Sequence, residues 1–260
     1  MSKRNNFFGS KSGLTARTIA FLAATGISDT TITSALNTMD LALIANGLDT
    51  KMKALYPFVG GTATTHKFNF MNPADTDAAF RLTFSGGWTH SATGVKPNGI
   101  NALADTYFIP NNNFSLNSAA LGTYLRTNSL SGTDIGVVTS AGAQRAELWA
   151  KYIDGNFYTS LNNGTYESVA VANSAAFFVT SRTASNSLKS YRNTTVIKNV
   201  STVSTSMATG SIYLSSINGA IFFSDREQSF TFFSDGLSDT DESNLYTLVQ
   251  AFNTALARQI

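Results

Sequence analysis

Apolar positions recur along the chain with two different periods, and the switch between them outlines an architecture. From Ser28 onward Ile32, Ala35, Leu36, Met39 and Leu43 fall at helical spacing, with Ser28 or Asp29 placed to cap the start and Gly47 to end the run. This predicts one amphipathic helix. Thr30, Thr31 and Thr33 lower its intrinsic propensity because β-branching restricts χ1, so the helix needs a docked apolar face. A second short helical turn is expected over residues 49–55, ending before Tyr56-Pro57, since proline disfavours helical geometry in its predecessor.

After Gly60-Gly61 the period becomes two, and short apolar and aromatic runs alternate with turn residues. Strands are expected at 66–70, 79–84, 106–109, 121–126, 135–139, 146–153, 156–160, 175–182, 187–192, 194–198, 211–215 and 228–234. Strands this short and this numerous favour two stacked sheets. Asp154-Gly155 reads as a two-residue hairpin turn, because both residues tolerate positive φ. Phe230 and Phe232 face opposite to Thr231 and Phe233, so this strand carries phenylalanine on both faces and belongs in the middle of a covered sheet.

Ser238 with Asp241 three residues on is a variant capping box, and Leu245, Leu248, Val249, Phe252 and Leu256 then line one face of a closing helix. Each buried side chain of that stripe contributes roughly 1.5 to 3 kcal/mol against about 1 kcal/mol for the cap, so docking decides whether the helix persists.

Composition narrows the function classes. Apolar residues make up 43% of the chain but charged ones only 13%, well under the roughly 25% usual in soluble domains. A neutral surface rich in hydroxyls suits adhesins and virus shells more than metabolic enzymes. The net charge of +2 is too small for general polyanion binding, so no specific nucleic-acid partner is expected. Cysteine is absent, which removes disulfides, thiolate metal sites and thiol nucleophiles. No run of about 18 apolar residues suggests a spanning helix, and no membrane partner is expected. Residues 1–28 carry Lys3, Arg4, Lys11 and Arg17 and no acid, which reads as an unremoved, flexible basic arm that could anchor the protein to a particle. The expected organisation is therefore an arm at 1–28, a helical attachment segment at 29–58 and a β-sandwich domain at 59–260.

The stretch Phe232-Phe233-Ser234-Asp235-Gly236-Leu237-Ser238-Asp239, leading into a helix with Asn244-Leu245-Tyr246, resembles the closing strand and helix of laminin-G-like jelly rolls. The runs Phe177–Arg192 and Ile212-Tyr213-Leu214 look like the same fold's hairpin series. Lys51-Met52-Lys53-Ala54-Leu55-Tyr56-Pro57, Asp75-Thr76-Asp77-Ala78-Ala79-Phe80 and Gly86-Gly87-Trp88-Thr89-His90 resemble structural proteins of phages and prophages of Bacteroidetes-type bacteria. The resemblance implies an all-β fold: a two-sheet antiparallel jelly-roll sandwich of the concanavalin A-like type, with an N-terminal helix and a C-terminal capping helix. It implies a non-enzymatic virion protein, namely a head fibre, decoration protein or tail-associated adhesin. Its partners would be other virion proteins, host surface polysaccharide and copies of itself, a trimer by analogy with phage fibres. One departure is Asn193-Thr194, where the family has Asn-Gly, so a different turn is expected.

The candidate chemistry is sparse. Glycan hydrolysis needs two carboxyls roughly 5 to 10 Å apart, yet Glu147, Glu167, Glu227 and Glu242 are far apart in sequence. Hydrolase and carbohydrate-binding module are the alternative readings. Asp75 and Asp77 offer two hard oxygens, which makes calcium the one cofactor to consider, although a helix cap or turn is the commoner use of such a pair. Trp88 and His90 lie in a Gly-rich stretch and could stack on a sugar ring, against the bland alternative that Trp88 fills the core.

Overall fold

Thr15 and Asp29 each accept a hydrogen bond from the amide three residues on and start helices α1 (Ala16–Thr25) and α2 (Thr30–Ala45) in the computed structural model, which describes residues 13–260. Next come β1 (Met52–Tyr56), the one-turn helix α3 (Ala63–His66), β2 (Thr83–Ser85), β3 (Trp88–Ser91), β4 (Gly94–Pro97) and β5 (Leu103–Asp105). The short helix α4 (Pro110–Asn113) leads to β6 (Ala119–Leu125), β7 (Ile135–Thr139), β8 (Gln144–Trp149) and β9 (Asn156–Asn163). The chain closes with β10 (Glu167–Ala170), β11 (Ala176–Ala184), β12 (Ser187–Arg192), β13 (Thr195–Val200), β14 (Tyr213–Leu214), β15 (Gln228–Ser234) and α5 (Asp239–Ala255).

Two antiparallel sheets result. One runs β13-β12-β11-β6-β15-β4-β3, with β1 also on β15; the other runs β10-β9-β8-β7-β14-β5-β2. Alternation along the strands builds two separate cores. Leu121, Leu148, Phe157, Leu161, Phe178 and Phe233 meet between the sheets. Phe177, Phe230 and Phe232 point the other way, onto Leu36, Met39, Leu43, Leu245, Val249 and Phe252 of α2 and α5. The expected central strand with phenylalanine on both faces is β15, and the terminal stripe docks where expected. Ser238 caps α5 in a full box with Asp241. Residues 13–260 thus form a jelly-roll-like sandwich in which the described helices α1, α2 and α5 add a third layer on one sheet.

Several expectations are corrected. Residues 16–25 are helical rather than a flexible arm, because Phe21 packs on Phe70 at 5.2 Å and Arg17 ion-pairs with the buried Asp40 at 2.8 Å. The expected helical turn at 49–55 is mostly strand: β1 pairs with β15, with Tyr56 opposite Thr231. Residues 29–58 therefore pack with the sandwich, α2 in its helix layer and β1 in its sheet. Residues 66–70 hold the end of α3 and irregular backbone in place of a strand. Strands β3, β4, β5 and β10 match no expected strand, and residues 106–109, expected as a strand, are irregular backbone that follows β5. The Asn193-Thr194 turn does differ from Asn-Gly, with Asn193 alone taking positive φ (55°).

Candidate functional site

The seven-stranded sheet turns its second face away from the core, and alternation decides what it shows. Ala146 and Leu148 of β8 point inward, so Arg145, Glu147 and Trp149 point outward. On β9 Phe157 and Leu161 point inward, and Tyr158 stands directly across from Trp149. The loop between β8 and β9 is longer than the two-residue turn expected at Asp154-Gly155. The Gly155 amide donates to the Tyr152 carbonyl at 2.9 Å, and Gly155 takes a φ of 85°. That longer turn carries Tyr152 back over the indole, with ring centroids 5.0 Å apart.

Trp149 therefore forms the floor of an aromatic basin walled by Tyr152, Tyr158, Tyr166 and Phe222, enclosing about 270 Å³. The indole is 5% exposed, Tyr166 37% and Phe222 44%, so the walls are open to solvent and the floor is not. Phe222 sits 5.0 Å from the indole at a φ of 55°, which a bulky side chain rarely adopts. Its backbone is held there by the Thr133 amide, which donates to the Phe222 carbonyl at 2.7 Å. The conformation is not confined to this site, since Phe58, Phe80 and Tyr107 share it, but here it leaves a ring 44% exposed beside the indole.

Beneath the walls Glu147 gathers three donors. Trp149 Nε1 donates at 3.0 Å, the Tyr166 hydroxyl at 2.5 Å and Arg145 Nη1 at 3.1 Å. Burial pushes the Glu147 carboxyl up, opposed by these partners, and burial together with the Glu147 charge pushes the Tyr166 phenol up. The Arg145 guanidinium lies 4.3 Å from the centre of the Tyr166 ring. On the opposite wall the Tyr158 hydroxyl donates to Asp154 at 2.6 Å. The rings of Trp149, Tyr158 and Tyr166 are thus held by hydrogen bonds, and a pre-set apolar concavity of this kind favours binding because less side-chain entropy remains to be lost.

The residues singled out from sequence lie elsewhere. Trp88 Nε1 donates to the carbonyls of Ser85 and Leu103, both at 3.0 Å, and its ring packs edge-on against Phe84 on the margin of the inter-sheet core. His90 Nδ1 is 3.0 Å from Nδ1 of the buried His66, whose Nε2 accepts from the Gly61 amide at 3.2 Å. That partner assigns the His66 proton to Nδ1, which donates to His90. Burial, with His90 adding to it, holds His66 down to about 3. Trp88 and His90 do come together, with centroids 6.4 Å apart, but as parts of this packed aromatic group. Asp75 is bound by Lys67 at 2.6 Å and Arg81 at 3.1 Å, and Asp77 by Arg81 at 3.0 Å, where the chain enters a single helical turn. Among the described residues no group of three or more histidines, aspartates or glutamates is placed to hold a metal ion. Arg17 is held by Asp40, while Lys3, Arg4 and Lys11 lie outside the described residues.

Larger hollows, of about 650 and 400 Å³, run along α2, one beside Gly60-Gly61 and one against α5, as seams of the helix layer lined mainly by small and aliphatic side chains. A third, of about 360 Å³, lies at the start of α5, where Lys189 and Tyr191 already engage Asp239; none of the three gathers aromatic rings as the Trp149 basin does.

Fold and site together define an antiparallel jelly-roll-like β-sandwich with an aromatic basin on its helix-free sheet. No family model matches the sequence, and neither does any curated protein. Among solved structures the chain is similar to domain 4 of AbnA, an extracellular arabinanase of Geobacillus stearothermophilus, in complex with arabinotriose. The two share 13% identity over 75% of this chain and 98% of that one, with a TM-score of 0.54. Botulinum neurotoxin type C, which depends on two ganglioside molecules to enter cells, gives 11% identity over 80% of this chain and 53% of that one, with a TM-score of 0.52. Trypanosoma rangeli sialidase with sialic acid gives 11% over 74% and 32%, with a TM-score of 0.50. These likenesses show a shared β-sandwich fold.

Proposed function

We propose that this protein is a non-enzymatic glycan-binding module whose ligand sits on the Trp149 basin. One observation carries the reading: five aromatic side chains converge on an open hollow of about 270 Å³, on the face of the sandwich that no helix among the described residues covers. A sugar ring has one face rich in C–H groups that stacks on aromatic rings, while its hydroxyls reach the surrounding polar atoms. The hollow is of single-sugar size, slightly below the roughly 300 Å³ at which drug-sized sites begin. The structures of the same fold solved with arabinotriose or sialic acid support the reading by analogy.

What supports a binding rather than a hydrolytic role is the state of the glutamates. Glu147 is tied to Arg145, Trp149 and Tyr166, Glu227 to Arg126 and Thr93, and Glu167 to Lys198 and Thr202, while Glu242 is buried on α5. The setting we propose is the surface of a bacterial virus particle, where the module would act as an adhesin in a homo-oligomer; the order of the phage-like motifs supports this. A glycan array followed by calorimetry tests the binding. Phe222→Ala and Tyr152→Ala, both on the basin walls, are expected to weaken binding by more than about 1 kcal/mol each, the usual cost of truncating a contact aromatic. Binding unaffected by either change would place the ligand elsewhere.

A further inference from the structure

We propose that the basin selects an uncharged, hydroxyl-bearing sugar and turns away anionic ones such as sialic acids, uronates and sulfated sugars; this rests on the glycan-binding reading above. The argument is an inventory of protons. Trp149 Nε1 donates to Glu147 Oε2 at 3.0 Å, and the Tyr166 hydroxyl donates to the same oxygen at 2.5 Å. The Tyr158 hydroxyl donates to Asp154 Oδ2 at 2.6 Å. A phenol has one proton and an indole one N–H. Once these point at the carboxylates, Tyr158 and Tyr166 can present only lone pairs to a ligand, and Phe222 presents none. Of the five lining residues, Tyr152 alone retains a donor without a carboxylate partner.

The nearby cations do not reverse this. Arg145 directs Nη1 to Glu147 and to the Tyr166 oxygen, and Nε to the Gly142 carbonyl, with the carboxylate 3.1 Å away. Lys151 turns its ammonium onto the Ala172 carbonyl at 2.7 Å, and neither cation is among the five residues that line the basin. Asp154 at the rim is left as unmatched negative charge. Both phenols also hold their protons firmly: the bond to Asp154 pushes Tyr158 up, and burial with Glu147 pushes Tyr166 up.

A carboxylate or sulfate accepts hydrogen bonds and donates none. In this basin it would lose water and meet oxygen lone pairs, a cost without compensation. A sugar hydroxyl instead donates to the same phenol and carboxylate oxygens while its ring covers the aromatic faces. The basin is therefore complementary to donors and repulsive to anions.

The test uses the full chain and pairs of ligands matched in ring and linkage, one neutral and one anionic: methyl galactoside against methyl galacturonoside, and fully methyl-esterified against de-esterified oligogalacturonides. Titration calorimetry at low salt is expected to show the neutral member bound at least about tenfold more tightly, with the gap narrowing as salt is raised. Asp154→Asn, which keeps an acceptor for Tyr158 but removes the charge, is expected to narrow the gap as well. Tighter binding of the anionic members, abolished by Phe222→Ala, would overturn the selectivity and leave the glycan-binding reading intact. No binding of any member would defeat both.

Discussion

Replacing Asp134 with alanine removes the counter-charge of Arg226 and strands a guanidinium out of reach of solvent. Arg226 and Asp134 are both fully buried and joined by two bonds of 2.8 Å, one from Nε and one from Nη2. The other guanidinium protons go to the carbonyls of Ser129, Lys151 and Gly132, while Asp134 also accepts from the Ala150 amide at 2.8 Å and the Ser224 hydroxyl at 2.9 Å. Breaking one side of a buried pair costs about 3 to 5 kcal/mol. Each neutral bond lost with it adds only about 1 kcal/mol, so the stranded charge dominates. For a chain of this length the loss lowers Tm by roughly 6 to 20 °C. The effect reaches the basin, because the Ala150 amide and Lys151 carbonyl bracket the turn from Trp149 to Tyr152. Urea unfolding followed by tryptophan fluorescence measures the loss directly. The double variant Asp134→Leu with Arg226→Met removes both charges together and is expected to recover most of the stability. A single variant that loses less than about 1 kcal/mol, or a double variant no better than the single, would refute the reasoning.

Stability is expected to pass through a maximum with pH. His66 is held down to about 3 when folded and returns to 6.5 when unfolded, so its contribution is complete above 6.5 and is lost as pH falls towards 3, at up to about 1.4 kcal/mol per pH unit. Glu242 has the opposite sign: burial raises it from 4.5 to about 8, so its contribution is complete below 4.5 and is lost as pH rises through 8. Urea midpoints measured across pH should flatten on the acid side in His66→Gln and on the alkaline side in Glu242→Gln; a variant whose profile matches wild type contradicts its assignment. Gly132→Ala is expected to weaken glycan binding from a distance, because a Cβ there would stand 2.1 Å from the Phe222 carbonyl oxygen and push that segment aside. Wild-type affinity in that variant would show that the placement of Phe222 does not matter.

The legible parts of the fold were those where a local rule and the tertiary packing agree. The helix from Asp29 and the capped helix from Ser238 could be read because cap and apolar stripe coincide. Met52–Tyr56 could not, since Lys-Met-Lys-Ala-Leu suits a helix as well as a strand, and only the vacant edge of β15 settles it. Arg17 read as an exposed arm charge, because nothing near it in sequence announces Asp40, more than twenty positions on.

The basin was half legible. Glu147 and Trp149 two apart, with Tyr158 just beyond a turn, already imply one shared face on neighbouring strands. Trp88 misleads in sequence, because its Gly-rich surroundings look like a binding loop but enclose a packed indole. Phe222 gave no local sign at all, since its φ of 55° is imposed by contacts with residues ninety positions earlier.

By itself the sequence determined the period-two body, the two amphipathic helices and the absence of thiol chemistry, because these follow from spacing and composition alone. Only the tertiary structure decided which sheet the helices cover and which aromatic residues remain for solvent. Those outcomes depend on distant segments competing for the same apolar faces, and such competition is settled by packing rather than by local preference.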